Sequence, residues 1–168
     1  MIVLVGFMGA GKTTVGRLLA AKLDLPFADS DLVIEDQVGR PVRQYFADHG
    51  EPAFRQLEHE VIASLLSGRS RVLALGGGAA GHAGTRGLLA GVPVVYLRVS
   101  YAEAMNRVGG DSDRPMLARP DIEQLYAARH PVFTETASCT VDTDARSPEE
   151  VALDIMARMP SAVSDSAR

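Results

Sequence analysis

Near the start of the chain, Gly6-Phe7-Met8-Gly9-Ala10-Gly11-Lys12-Thr13 fits the pattern G-x-x-x-x-G-K-[ST] without mismatch. The apolar run Ile2-Val3-Leu4-Val5 precedes it and an amphipathic helical pattern follows. That context leaves few folds open, because such a loop works where a buried strand delivers the chain to a helix N-terminus. The glycines let backbone N–H groups curl around phosphate oxygens, and the helix end adds positive potential. Lys12 can reach the β- and γ-phosphates of a nucleoside triphosphate, and the Thr13 hydroxyl can ligate Mg²⁺. Gly9, Ala10, Gly11, Lys12, Thr13 and Thr14 are the expected phosphate-side contacts.

The rest of the 168 residues continues the strand–helix rhythm. Apolar runs at 2–5, 26–28, 72–75, 94–99 and 139–141 alternate with helical patterns at 12–23, 31–38, 42–48, 52–66, 101–108, 121–129 and 148–159. Several runs are apolar throughout rather than alternating, as in parallel strands covered on both faces. The expectation is an α/β doubly wound parallel sheet, one domain over 1–159, with ligands beyond the carboxyl ends of the strands. Ser147, Pro148 and Glu150 predict a capped start for the last helix. The breaker-rich segment 109–115 reads as a long loop, and the small polar residues 160–168 as a frayed tail.

Composition narrows the function. Hydrophobic residues at 46%, charged residues at 23% and a net charge of −4 describe an ordinary globular domain. No block of like charge points to nucleic acid or an acidic membrane surface. One cysteine, Cys139, permits neither an intramolecular disulfide nor a cysteine-rich metal site. No run approaches a membrane span, and the N-terminus lacks a basic leader, so a soluble monomer of the reducing cytosol is expected. The base-reading N-K-x-D motif of GTPases is absent, since the sole asparagine, Asn106, precedes Arg107. A motor or large ATPase needs more chain, which leaves a small kinase.

Candidate acceptor residues lie further along. Asp29 and Asp31 bracket Ser30 at the end of the second apolar run. Asp29 could hold Mg²⁺ through water. Asp31 could take the proton of an acceptor hydroxyl, or serve only as the cap of the helix that follows. In helix 52–66 the apolar stripe contains Phe54, Leu57, Val61, Ile62 and Leu65, with Glu58 near its middle and Arg55 on its edge. A carboxylate facing the interior calls for a partner three residues away, either as a structural ion pair or to orient Arg55 towards a ligand. Gly76-Gly77-Gly78 follows the third strand and permits close backbone approach, or a simple turn. Arg107, Arg114, Arg129 and Arg146 are either solvated or available to phosphate charge. No histidine has metal-ligand spacing, and His49, His59, His82 and His130 are assigned structural or surface places.

Taken in order, residues 6–14, Asp29-Ser30-Asp31, Phe54-Arg55-x-x-Glu58, Gly76-Gly77-Gly78, Arg114-Pro115-Met116-Leu117 and Arg129-His130-Pro131-Val132-Phe133 resemble the shikimate kinases. The resemblance spans the chain from Ile2 to about Met159. It implies a P-loop NTPase-type three-layer sandwich with a five-stranded parallel sheet, a shikimate-binding subdomain over about 31–63 and a lid over about 112–121. It implies transfer of the γ-phosphoryl group of ATP to the 3-hydroxyl of shikimate, in the route to aromatic amino acids. Thr13 and Asp29 would serve Mg²⁺. Asp31, Phe54, Arg55, Glu58, the three glycines and Arg129 would serve shikimate. Arg114 would reach the ATP phosphates from the lid, and Arg107 and Arg146 would lie by the adenine. Against the family pattern, Thr13-Thr14 replaces Ser-Thr, the stretch between Arg114 and Arg129 is shortened, and Phe133 stands where Tyr is common. Two other readings share the phosphate loop: a kinase of another small hydroxylated acid such as gluconate, and a relative that binds nucleotide without turnover.

Overall fold

Each apolar run becomes a strand of one sheet: β1 (Ile2–Val5), β2 (Phe27–Asp29), β3 (Val72–Ala74), β4 (Val94–Arg98) and β5 (Cys139–Asp142). The computed structural model describes residues 1–109 and 120–159; Arg114, most of the expected lid and the tail 160–168 lie outside them. The strands are parallel in the order β2-β3-β1-β4-β5, with Leu4 paired to Ala74 on one side and Val95 on the other. Central strands β1 and β3 are buried along their whole length. Parallel pairing requires helical crossovers that cover both faces, which explains why these runs carry no polar alternation.

The helices are α1 (Lys12–Lys22), α2 (Ser30–Val38), α3 (Val42–Ser67), α4 (Ala83–Leu89), α5 (Tyr101–Val108), α6 (Ile122–Thr136) and α7 (Pro148–Arg158). The two helices expected at 42–48 and 52–66 run together as α3, but Gly50 breaks it with φ 79° and ψ 170°, a conformation that glycine tolerates. Helix α6 extends well past residue 129 and continues through Pro131. Helix α4 was not expected, because Gly84 and Gly87 leave its seven residues without a readable period. His82 caps it by accepting the Thr85 N–H. The capping box of α7 forms as read: Ser147 accepts from the Glu150 N–H, and the Glu150 carboxylate accepts from the Ser147 N–H.

Helix α2 begins at Ser30, so its cap is Asp29 and not Asp31; the Asp29 carboxylate accepts the Asp31 N–H at 3.1 Å. Helices α2 and α3 share a small apolar cluster of Ile34, Phe54 and Val61, separate from the main core under the sheet. The connection after β1 runs to one side of the sheet and that after β3 leads to the other, so a crevice opens beyond the carboxyl ends of these neighbours. The phosphate-loop sequence leaves β1 there, and the three glycines leave β3.

Candidate active site

The loop after β1 holds two glycines in the left-handed region, Gly9 at φ 78° and Gly11 at φ 86°. Gly9 also approaches α5 so closely that a Cβ would come 2.9 Å from the Ala104 carbonyl oxygen. Lys12 Nζ donates to the carbonyls of Gly6 at 2.9 Å and Phe7 at 3.0 Å, which folds the ammonium over the mouth of the loop. Thr13 Oγ1 donates to Asp29 Oδ2 at 2.7 Å, so the hydroxyl and carboxylate stand together. Ser30, fully buried between the two aspartates, accepts the Gly76 N–H at 2.9 Å and ties the β2–α2 turn to the β3 turn. No sequence pattern singled out Ser30, since its partner lies 46 residues away.

Two clefts flank the loop. A cleft of about 410 Å³ is bordered by Gly9, Ala10, Gly11, Thr14, Arg107 and Arg146, together with Thr143 and Pro148. Arg107 spans it: Nη1 donates to the Gly9 carbonyl at 3.1 Å, and Nη2 to the Thr143 carbonyl at 2.7 Å. Its Nε pairs with Glu103 at 2.7 Å. Arg146 pairs with Asp154 at 2.9 Å. Thr143 carries no signal in the sequence, because its contacts to Arg107 join segments 36 residues apart.

A second cleft, of about 700 Å³, gathers Lys12, Thr13, Asp29, Asp31, Phe54, Arg55, Glu58, the three glycines and Arg129. It also includes Arg17 and Arg43, which the sequence reading did not select. Arg17 lies one helical turn beyond Thr13 and so shares its face, the one available clue. The Arg55 Nη1 donates to Glu58 Oε2 at 2.6 Å, and the Arg55 guanidinium lies 5.2 Å from the centre of the Phe54 ring. Glu58 is 1% exposed, and burial lifts its carboxyl to about 7 against the lowering pull of Arg55. Asp31 is lifted to about 6, first by burial and then by the Asp29 carboxylate, with Lys12 pulling the other way.

The three glycines do different work. A Cβ at Gly76 would sit 2.5 Å from Asp31 Oδ1 and 2.9 Å from Glu58 Oε1. A Cβ at Gly78 would collide with the Arg55 guanidinium. At Gly77 the nearest atom, Arg129 Nη1, is 3.7 Å away, an ordinary contact. The glycine turn is therefore the floor on which Asp31, Glu58, Arg55 and Arg129 meet. The expected site residues of the described segments all fall in the two clefts; Arg114 lies outside the described residues.

Among the described residues no helix is long and apolar enough to cross a membrane, and no cluster of three acidic, histidine or cysteine side chains forms a protein-only metal cage.

The shikimate kinase family matches residues 8–160. The curated shikimate kinase of Salinispora tropica is 46% identical over 162 residues, covering 95% of this chain and 97% of that protein. That of Mycobacterium avium is 44% identical over 163 residues, covering 95% and 93%. The solved shikimate kinase of Acinetobacter baumannii, in complex with shikimate, superposes with a TM-score of 0.90 at 39% identity, covering 95% of this chain and 92% of that one. These relatives do not favour a gluconate-type kinase. Identity at this level, sustained over nearly the full length of both partners, leaves one assignment: the chain belongs to the shikimate kinase family.

Proposed function

We propose that this kinase transfers the γ-phosphoryl group of ATP to the 3-hydroxyl of shikimate, with residues 1–159 as one catalytic domain and α2–α3 as its acceptor-binding part. The observation that carries the reading is the convergence of Asp31, Arg55, Glu58 and Arg129 on the 76–78 glycine turn, next to the phosphate loop. Shikimate is a small carboxylate bearing hydroxyls. Arg55 and Arg129 offer the planar donor forks that suit its carboxylate, and Glu58 holds Arg55 in place. Asp31 faces the acceptor hydroxyl and takes its proton as the oxygen attacks. Lys12 and the loop N–H groups meet the charge that spreads over the transferring phosphoryl oxygens. Arg107 and Arg146 border the space for the nucleoside, with Gly9, Ala10, Gly11 and Thr14 on its phosphate side.

The oxygen pair of Thr13 and Asp29, 2.7 Å apart beside the loop, is a hard donor set that fits Mg²⁺ shared with phosphates and water. Thr13 would ligate directly and Asp29 through water. Bound there, the ion supplies neutralisation of the β- and γ-phosphate charge.

Initial rates of ADP release with shikimate, with gluconate and without acceptor test this reading, with NMR of the product locating the phosphate ester. Release that depends on shikimate and an ester at the 3-hydroxyl are expected. Equal rates with gluconate, or release that ignores the acceptor, would overturn it.

Two variants probe the carboxylate end. Arg55→Lys keeps the charge but loses the fork, so the KM for shikimate should rise roughly 10-fold or more, equivalent to about 1.4 kcal/mol, while the KM for ATP changes little. Steady-state titration of each substrate measures the split; equal rises would make Arg55 a structural residue. Gly78→Ala should mimic Arg55→Lys, because the added methyl displaces the guanidinium from Glu58. Gly77→Ala meets only ordinary contact distances and should fold with unaltered thermal stability. A marked loss of melting temperature in Gly77→Ala would contradict this division among the glycines.

A further inference from the structure

Helix α6 is weakened at the place where it carries Arg129. Pro131 lies inside it, has no N–H for the Ala127 carbonyl and crowds that carbonyl with its ring. Arg129 therefore rides on a turn lacking one main-chain bond. Two side-chain ties bracket it. Three residues earlier, the Tyr126 hydroxyl donates to the Val99 carbonyl at 2.8 Å, and its ring stands edge-on to Phe7 at 5.2 Å. One residue later, His130 Nδ1 lies 2.9 Å from the Tyr96 hydroxyl.

Tyr96 stands on β4 and is 1% exposed, so its hydroxyl needs an internal partner, and His130 is that partner. The Tyr96 ring also packs on Phe133 at 5.2 Å. Tyr126, His130 and Phe133 share one face of α6 by their spacing. Arg129 lies between Tyr126 and His130, with its guanidinium 5.9 Å from the centre of the Phe7 ring and Nη1 beside Gly77.

We propose that the Tyr96–His130 hydrogen bond is a positioning device, which fixes the rotation of α6 at its proline turn and so aims Arg129 at the acceptor carboxylate. The inference rests on the reading of Arg129 as a carboxylate ligand. The lever arm makes it consequential. On a helix with a side-chain radius of about 5–6 Å, a rotation of about 10° moves a side-chain atom by about 1 Å. A displacement of about that size takes the guanidinium fork out of register with a carboxylate and so weakens the binding of the acceptor, because charge-assisted hydrogen bonds fall off steeply away from their preferred distance and angle. In either tautomer of His130 the bond joins the same two atoms, so the device does not depend on which partner donates.

The test uses four single variants of the full chain and the double variant Tyr96→Phe/His130→Ala. Tyr96→Phe keeps the ring and its packing on Phe133 but removes the hydroxyl. His130→Ala removes the other partner. His130→Asn returns an amide oxygen or nitrogen close to the place of Nδ1. Arg129→Ala removes the group being aimed. Steady-state kinetics should show the KM for shikimate raised about 10-fold in both Tyr96→Phe and His130→Ala, with kcat and the KM for ATP nearly unchanged. The double variant should be no worse than the poorer single one, and His130→Asn should recover most of the loss. If Arg129→Ala raises the KM for shikimate while Tyr96→Phe and His130→Ala lower only the melting temperature, the pair is structural and the proposal is wrong. If Arg129→Ala leaves that KM unaltered, the reading of Arg129 fails first and takes the proposal with it.

Discussion

Lys12→Met is expected to lower kcat by on the order of 10²–10³-fold, the loss typical when one preorganised charge-stabilising donor is removed from a transition state. Methionine keeps the length of the stem and removes the ammonium. Lys12 Nζ is held by the Gly6 and Phe7 carbonyls, so the charge stands at the mouth of the loop. Its largest contribution comes as the bond to the γ-phosphoryl group loosens and charge spreads over the phosphate oxygens. The melting temperature should fall by only a few degrees, since the backbone of the loop is held by its left-handed glycines and by Arg107. Initial rates at saturating ATP and shikimate, set beside thermal unfolding, measure both effects. A kcat near that of the parent would show that the loop does not serve phosphoryl transfer in this way.

Asp31→Asn should cost a comparable factor, roughly 10²–10⁴-fold in kcat, because the amide cannot take a proton from the acceptor hydroxyl. The KM for ATP should hardly change. The structure removes the competing explanation that Asp31 serves as a cap, since Asp29 caps α2. It also predicts an opposite effect on stability. The folded protein holds the Asp31 carboxyl at about 6, above the ordinary value of 3.8, so the native state binds protons more tightly than the unfolded chain. Native stability attributable to this group is thus present below about pH 4 and is lost as pH rises through about 6. The substitution removes that cost. In the protein free of nucleotide and metal, Asp31→Asn should therefore melt at or above the parent at pH 8, and this advantage should shrink as pH falls from about 6 to about 4. Denaturation across pH checks the sign, and a variant that is both active and less stable at pH 8 would contradict both parts.

Much of the site could be read in advance because its signals are local. The phosphate loop needs consecutive residues, and Arg55 and Glu58 are three residues apart on one helix, so the backbone period alone brings them together. The glycine run was visible as a string, but its use was not. Only the packed structure separates Gly76 and Gly78, which make room for Asp31, Glu58 and Arg55, from Gly77, which does not. Ser30 and Thr143 escaped notice because a buried hydroxyl bonded to a distant segment leaves no periodic trace.

Five apolar runs separated by helical patterns were enough to specify an α/β sheet with parallel strands, because strands buried on both faces cannot carry polar alternation. Strand order was beyond such a pattern. The neighbours β1 and β3 are separated by two crossovers in sequence, and it is their pairing that opens the crevice between the phosphate loop and the glycine turn. The same division holds at smaller scale. The pairing partner of Glu58 was implied by the cost of burying a lone carboxylate on a helix stripe. That Asp29 rather than Asp31 caps α2, and that His130 finds Tyr96 across from α6 to β4, depends on where tertiary packing sets each helix end, which local propensity does not determine.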